Sequence, residues 1–284
     1  MRLFSEFYFA NRENLDGALL DVDGTLSANG APLPGAAELL VQFEKDRFPY
    51  LLLTNDTCHS HEEKRRILAN GGIHVPMSRI FSAGDVLRYW AGKNYHGELF
   101  FQCGVLGNPG YGEAAGIQLT TDVKRIPECK GVLMGEGIYA WQENLEGIFN
   151  LFMAHPEYPF VVCNPDSYWP SVSGTGMGVG AGGQARFICG LLKEMGISVE
   201  PVYLGKPYAP VYQQAFQVFA EQYPERPAVR AERVIMLGDS LASDIRGGNV
   251  NGLLSCLVLT GITSRKLAED AEEIRRPKEI FDRI

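Results

Sequence analysis

The chain has 284 residues, with 26 lysines and arginines against 34 aspartates and glutamates, which gives a formal net charge of −8. Hydrophobic residues make up 45% and charged residues 21%, a globular composition that excludes global disorder. The acidic balance argues against nonspecific binding to nucleic acid or to an anionic membrane surface. No apolar run approaches the roughly 18 residues of a membrane span, and charges interrupt the N-terminal stretch where a secretory signal needs apolar residues.

The six cysteines are scattered, with no CxxC pair and no metal-ligand spacing. This pattern predicts reduced, mostly buried thiols in a cytoplasmic protein. The length predicts about two domains or one large one.

Short apolar strands alternate with helical patterns, which is typical of a parallel sheet covered by helices. The first elements in chain order are a strand over 17–22, a helix over 35–45, a strand over 49–54 and a helix from Ser60 to about Asn70. The segment before Leu15 is either an additional edge strand or a packing arm.

The middle of the chain has a separate set of elements, long enough for its own small core. We predict strands over 98–104, 131–136 and 160–164, and helices over 141–155 and 183–195. After Gly205, a strand over 233–239, a short helix to about Val250 and a strand over 256–260 resume the first pattern. The fold class is therefore α/β: residues 1–83 and 202–284 form a doubly wound parallel sheet, and residues 84–201 form an inserted smaller α/β domain.

The first strand ends in Asp21-Val22-Asp23-Gly24-Thr25. Ligands of open α/β sheets bind beyond the carboxyl ends of the strands, so two carboxylates here stand where chemistry is expected. One can act as a nucleophile and the other can transfer protons, provided a hard cation such as Mg²⁺ offsets their repulsion. An acidic Asp-Gly turn at the end of a strand is the simpler alternative.

Three further motifs follow strands in the same way. Thr54 and Asn55 can hold phosphate oxygens, or they can simply cap the next helix. Lys206, between a glycine and a proline, can neutralise a carboxylate and a phosphoryl group, or it can be an ordinary loop lysine. Asp239 and Asp244, in GDSLASD, can face one cation, or they can favour a helix N-terminus. All four motifs converge on one edge of one predicted sheet, which none of the simpler alternatives predicts.

With DVDGTL, LLTND, GKP and GDSLASD in this order, the sequence resembles the haloacid dehalogenase (HAD) superfamily. The inserted middle resembles the cap domain of its type IIA phosphatases, which are NagD-like and p-nitrophenylphosphatase-like. The resemblance implies that Asp21 is the nucleophile and forms an aspartyl-phosphate, and that Asp23 is the general acid and base. It also implies four metal ligands and three phosphate-binding groups. The metal ligands are Asp21, the backbone carbonyl of Asp23, Asp239 and Asp244, and the phosphate is bound by Thr54, Asn55 and Lys206, with Thr54 and Lys206 also assisting catalysis.

The stretch CNPDSYWP supplies the candidate substrate contacts of the cap, which are Asn164, Asp166, Tyr168 and Trp169. The two aromatic side chains either stack on a substrate or belong to the cap core. The run 178–183 matches GxGxxG, but its turn-rich context favours a closely packed cap loop over a dinucleotide site.

The sequence departs from the family pattern at two places. Asp56 stands where many members have a second asparagine, and its carboxylate would repel phosphate unless it points away. Gly135-Glu136-Gly137 stands where the family often has an aspartate.

The expected function is a Mg²⁺-dependent phosphomonoester hydrolase for a small phosphorylated metabolite, either a sugar or polyol phosphate or a nucleoside monophosphate. We expect the cap to close over the site and exclude water. The alternatives are a phosphomutase or phosphotransferase on the same core, and a non-catalytic ligand-binding protein. We expect no nucleic-acid or membrane partner, and a homodimer is left open.

Overall fold

The computed structural model describes residues 1–28, 30–92, 94–137, 139–170 and 176–284. These residues divide into two compact units. The first unit comprises Met1–Thr54, His61–Phe81 and Lys206–Ile284, and the second comprises Asn55–Ser60 and Ser82–Gly205. Each unit has a hydrophobic core of its own.

The elements are numbered in chain order. The strands are β1 (Gly17–Leu20), β2 (Ser27–Ala28), β3 (Ala31–Pro32), β4 (Tyr50–Thr54), β5 (Ile80–Ser82), β6 (Leu99–Cys103), β7 (Gln118–Thr120), β8 (Val132–Met134), β9 (Phe160–Val162), β10 (Tyr168–Pro170), β11 (Met177–Val179), β12 (Val202–Tyr203), β13 (Val234–Gly238), β14 (Leu254–Val258) and β15 (Glu279–Phe281). The α-helices are α1 (Phe4–Asn11), α2 (Ala36–Lys45), α3 (His61–Asn70), α4 (Val86–Ala91), α5 (Tyr111–Ala114), α6 (Trp141–Ala154), α7 (Ala181–Glu194), α8 (Ala209–Gln222), α9 (Arg246–Val250) and α10 (Arg265–Glu269). Over the described residues, no helix has both the length and the apolar character needed to cross a membrane.

The main sheet of the first unit has the strand order β15-β14-β13-β1-β4-β5. Its central strand β1 pairs in parallel with β13 on one side and β4 on the other. The register sets Leu20 of β1 opposite Leu237 and Leu52. The residues that follow these positions therefore emerge at the same edge of the sheet, which is where the sequence predicted the chemistry.

The predicted helices of the first unit are confirmed where the apolar spacing is regular. In α2, Ala36, Leu39, Leu40 and Phe43 are the buried positions, as the spacing predicts. The helix α3 ends at Asn70, directly before the glycine pair, and Gly72 has a φ of +91° that an L side chain rarely adopts.

Most of the N-terminal segment forms the helix α1, while Leu3 makes an isolated parallel bridge with Arg283 just after β15, so the segment is not an additional strand of the sheet. Phe4 and Tyr8 are fully buried in the core of the first unit. Phe4 packs edge-on against Phe281, and Tyr8 packs edge-on against Phe43. The hydroxyl of Tyr8 donates a hydrogen bond to Asp46 at 2.8 Å. The segment is a packing arm because this burial outweighs the strand preference of its aromatic residues.

The second unit contains a parallel sheet with the order β12-β9-β8-β6-β7. The expectation that the strand before Lys206 belongs to the first sheet is wrong, because Val202 and Tyr203 pair with Val161 and Val162 of β9. The segment Asn55–Ser60, which the sequence analysis placed with the first domain, also belongs to the second unit. In the run before α7, β10 and β11 pair as antiparallel strands. The middle of the stretch that was predicted to be turn-rich, residues 171–175, lies outside the described residues.

Candidate active site

Asp21 lies at the end of the central strand β1. Its backbone N–H donates to the carbonyl of Leu237 on β13, at 2.8 Å, so the sheet ladder continues to this residue. Its carboxylate is largely buried and accepts a hydrogen bond of 3.4 Å from the hydroxyl of Thr25. The strand therefore fixes the backbone of the predicted nucleophile at the sheet edge.

Lys206 is fully buried beside Asp21. Its Nζ lies 2.5 Å from Oδ1 of Asp21 and 2.7 Å from Oδ1 of Asp244. Burial opposes the charged form of the lysine, but the two carboxylates outweigh that effect and raise its pKa. The lysine thus remains a cation that bridges two of the predicted site residues.

Asp239 follows β13, and its carboxylate lies in a space that two glycines leave open. A Cβ at Gly24, where φ is +82°, or at Gly261 would collide with this carboxylate. The backbone N–H of Ile262 donates to Oδ2 of Asp239 at 2.7 Å. Burial, followed by the charge of Asp244, raises the pKa of Asp239 to about 7.

Asp244 lies in a π-helical turn over Leu241–Ile245. Such turns are rare in proteins, and those that occur are often at functional sites. This residue is 1% exposed. Its Oδ2 accepts a hydrogen bond of 3.0 Å from the backbone N–H of Ser240, while Oδ1 pairs with Lys206. The turn therefore aims the carboxylate inward at the lysine.

The carboxylates of Asp21, Asp239 and Asp244 each offer an oxygen within 4.8 Å of the others. Burial raises the pKa of Asp21 well above its usual range; Lys206 opposes this shift, while Asp244 and Asp239 add to it. Hard oxygen donors crowded at this distance are the ligand set that Mg²⁺ prefers. The residues of this site therefore fit a divalent cation, which would relieve their mutual repulsion.

Two further predicted residues belong to the first unit. Thr54 ends β4, is buried, and lies at the same sheet edge as Asp21. Asp23 is exposed, and its carboxylate is not part of the three-carboxylate group. The resemblance assigns its backbone carbonyl to the metal, and that role stays a prediction.

Asn55, the next residue after Thr54, is buried and belongs to the second unit. Its side-chain amide donates to Oδ2 of Asp166 at 3.0 Å. The neighbouring Asp56 turns into its own loop, where Oδ1 accepts from the backbone N–H groups of Cys58 at 2.8 Å and His59 at 3.3 Å. Its Oδ2 lies 2.9 Å from Nδ1 of His59. These bonds give Asp56 a structural role in the loop.

The candidate cap residues divide into two that are buried or half-buried and two that are exposed. Asn164 is buried and Asp166 is half-buried. Tyr168 and Trp169 lie on the hairpin strand β10 and are 57% and 38% exposed, so the alternative that they belong to the cap core is wrong. Their contact with a substrate stays a prediction.

Two family models match this chain. A haloacid dehalogenase-like hydrolase model matches residues 18–118, and a HAD-hydrolase-like model matches residues 203–284. The matched ranges contain all four motifs around the buried carboxylates.

The curated relatives extend the similarity over almost the whole chain. Dihydroxyacetone phosphatase of Corynebacterium glutamicum is 26% identical over 91% of this chain and 84% of its own length. Ribonucleotide monophosphatase NagD of Escherichia coli is 28% identical over 88% of this chain and 90% of its own. The solved glycerol phosphate phosphatase of Mycobacterium tuberculosis, in complex with magnesium, is 25% identical with a TM-score of 0.76, and the match covers 94% of this chain and 74% of that one.

The chain belongs to the haloacid dehalogenase-like hydrolases. Within this family it is of the NagD-like type, and it is a phosphatase.

Some residues of this HAD site were not predicted from the sequence. Thr25, Ser240 and Ile262 bind the three carboxylates, and Gly261 leaves space for Asp239. Gly261 could have been noticed from the sequence, because it lies shortly after the strand β14 and therefore near the carboxyl edge of the sheet. Thr25 and Ser240 each lie four positions from the carboxylate that they bind, within the motifs themselves, whereas the hydrogen bond of Ile262 joins residues 23 positions apart and has no local signature.

The role of Asp56 gives a first prediction. Replacing Asp56 with alanine removes the acceptor for two backbone N–H groups, so we expect the free energy of unfolding to fall by about 1 kcal/mol. Urea denaturation of the purified protein measures this change. The variant Asp56→Asn keeps an oxygen for the N–H groups and should lose less. If Asp56→Ala were as stable as the wild type but bound inorganic phosphate more tightly, the carboxylate would act on phosphate instead.

Proposed function

We propose that this HAD phosphatase is a Mg²⁺-dependent phosphomonoesterase that acts on a small phosphorylated metabolite, a sugar or polyol phosphate or a nucleoside monophosphate. The observation that carries the proposal is the buried group of Asp21, Asp239 and Asp244 joined by Lys206. The relatives named for dihydroxyacetone phosphate and for ribonucleotides support this substrate class, since both names specify small phosphate esters.

In the proposed reaction, a carboxylate oxygen of Asp21 attacks phosphorus in line with the ester oxygen. The ester P–O bond breaks, and Asp23 donates a proton to the departing alkoxide, which leaves an aspartyl-phosphate on Asp21. Asp23 then takes a proton from water, and the water oxygen attacks phosphorus. Breaking of the bond between Asp21 and phosphorus releases inorganic phosphate, restores the carboxylate of Asp21 and leaves Asp23 protonated, as it was before the first step.

The charges of the site support this chemistry. Lys206 is held as a cation next to Oδ1 of Asp21, where it offsets the negative charge that gathers on the phosphoryl oxygens. Thr54 and Asn55 would bind those oxygens at the end of β4. Mg²⁺, held by Asp21, Asp239, Asp244 and the carbonyl of Asp23, would supply further neutralising charge.

The experiment that tests the proposal is an assay of the purified protein with Mg²⁺ against a panel of phosphorylated sugars, polyols and nucleosides. We expect free inorganic phosphate from members of the panel. Transfer of the phosphoryl group to a second organic hydroxyl without release of phosphate would favour the phosphotransferase instead. Absence of turnover across the panel would contradict the proposal.

Metal removal gives a second prediction. Treatment with a chelator should abolish phosphate release, and added Mg²⁺ should restore it. Because a cation that binds only the folded state stabilises it by about 2.7 kcal/mol at a hundredfold excess over Kd, Mg²⁺ should raise Tm by roughly 5 °C. Differential scanning calorimetry measures the shift.

The variant Asp239→Asn removes one carboxylate of the three, and its Tm should no longer respond to Mg²⁺. Asp270→Asn, at an exposed position of the same unit, is the matched control and should respond like the wild type. An unchanged Mg²⁺ response in Asp239→Asn would show that the cation binds elsewhere.

A further inference from the structure

A buried carboxylate of the second unit has no role in the chemistry proposed above. Glu136 follows β8 and is only 9% exposed. Its Oε1 accepts two hydrogen bonds, one of 2.7 Å from the side-chain amide of Asn164 and one of 3.0 Å from the backbone N–H of Ala181, the first residue of α7. Its Oε2 lies 3.8 Å from the thiol of Cys58.

From Glu136, hydrogen bonds continue through the second unit to Asn55. The Oδ1 of Asn164 accepts from the backbone N–H of Asp166 at 2.9 Å. The Oδ2 of Asp166 then accepts from the side-chain amide of Asn55 at 3.0 Å. Glu136 is therefore connected through two side chains to the residue that the resemblance assigns to phosphate.

Close packing holds this network in one arrangement. The glycines at the start of α7 lie directly against the loop that contains Asn164 and Asp166. A Cβ at Gly180 would collide with the carbonyl of Asp166, and one at Gly182 would collide with that of Pro165. The glycine-rich run is thus explained by close backbone approach, which places Glu136 between the loop and the helix.

The burial of Glu136 is unfavourable for its charge. Burial raises its pKa to about 7; the backbone N–H of Ala181 opposes the shift, and the charges of Asp166 and Asp56 add to it. A neutral apolar side chain would avoid this cost, but it would leave the amide of Asn164 and the N–H of Ala181 without this acceptor. The carboxylate therefore holds the Asn164 amide and the Ala181 N–H in place by accepting a hydrogen bond from each.

We propose that Glu136 is a positioning residue for Asn55: it orients the Asn164 amide, which fixes the Asp166 loop, which in turn fixes the amide of Asn55. The assignment of Asn55 to phosphate rests on the proposed function, whereas the hydrogen-bonded connection does not.

The first test compares two substitutions. Glu136→Ala removes the oxygen that accepts from both Asn164 and Ala181. We expect kcat/KM for p-nitrophenyl phosphate to fall about tenfold, with most of the change in KM and a matching rise in the Ki of inorganic phosphate. Glu136→Gln can keep its carbonyl oxygen at the position of Oε1 and should retain kcat/KM within about threefold. Glu143→Ala, an exposed carboxylate of the same unit, is the matched control and should match the wild type. Should Glu136→Ala not fold, Glu136→Asp, which withdraws the carboxylate by one methylene, replaces it with the same expectation.

A double-mutant cycle separates positioning from general packing. In an Asn55→Ala background, where the end of the connection is missing, Glu136→Ala should cost less than about twofold. Full additivity of the two losses, equal losses in Glu136→Gln and Glu136→Ala, or wild-type kinetics in Glu136→Ala would each overturn the proposal.

A readout independent of turnover keeps the connection testable if the protein does not hydrolyse phosphate esters. In ¹⁵N-labelled protein, the side-chain amide signals of Asn55, assigned by their loss in Asn55→Ala, should shift in Glu136→Ala and stay close to the wild type in Glu136→Gln. Unshifted Asn55 signals in Glu136→Ala would overturn the connection itself, whereas a shift without any hydrolysis would overturn only the proposed function.

Discussion

Replacing Asp21 with asparagine is expected to lower kcat for phosphate-ester hydrolysis by about 10⁴-fold or more. The amide keeps the shape of the side chain but cannot form the covalent bond to phosphorus that the proposed reaction requires. The fold should persist, because the substitution removes one charge from three crowded carboxylates, and the backbone bond to Leu237 is unaffected. Release of inorganic phosphate from the best substrate of the panel measures the loss.

Asp16→Asn is the matched control, since Asp16 precedes the same strand β1 but pairs at the surface with Arg230 and Arg233. It should retain wild-type kcat. Full activity in Asp21→Asn, with Mg²⁺ present and the same Tm as the wild type, would mean that another group attacks phosphorus.

Replacing Lys206 with methionine is expected to lower the free energy of unfolding by about 3–5 kcal/mol, in addition to abolishing activity. The substitution keeps most of the volume of the side chain but leaves Asp21 and Asp244 buried without their shared cation. Because the pKa of Asp21 is already raised, a lower pH should let that carboxylate take up a proton. The loss of stability should therefore be smaller at pH 5 than at pH 8. Urea denaturation at both pH values measures it.

The control for this prediction is Lys45→Met, at an exposed position near the end of α2. It should change the free energy of unfolding by no more than about 0.5 kcal/mol. If Lys206→Met were as stable as the wild type at pH 8, the ion pairs would not be holding the site together.

The positions of Asp21 and Asp239 could be predicted from the sequence because each directly follows a strand of four or five buried residues. Such strands appear in the sequence as short continuous apolar runs. Because ligands of open α/β sheets bind beyond the carboxyl ends of the strands, the residue after each run is a candidate for the site. The helix α2 was predictable for the same reason, since its apolar residues repeat with helical spacing.

The partner of β12 could not be predicted in this way. This strand has only two residues, and nothing in Val202 and Tyr203 distinguishes a strand of one parallel sheet from a strand of the other. The sequence analysis selected Lys206 because it follows a strand, between a glycine and a proline, and was expected at the same sheet edge as the other three motifs. The strand belongs to the other sheet, yet Lys206 does lie beside Asp21.

The helix α1 and the bond between Asn55 and Asp166 show a second limit. The sequence FSEFYFAN is rich in aromatic residues that favour strands, and only its packing against Phe43 and Phe281 explains the helix. Asn55 and Asp166 are 111 positions apart, and their contact depends on how the loop between β9 and β10 packs. Single-sequence patterns describe local preference and contain no information on such contacts.

The inclusion of Asn55–Ser60 in the second unit has a consequence for chimeric enzymes. A graft that exchanged only Ser82–Gly205 with a relative would combine a foreign Asp166 loop with the native turn at Asn55. The grafted segment should therefore consist of two pieces, Asn55–Ser60 and Ser82–Gly205. Both sides of the contact between Asn55 and Asp166 would then come from the same protein.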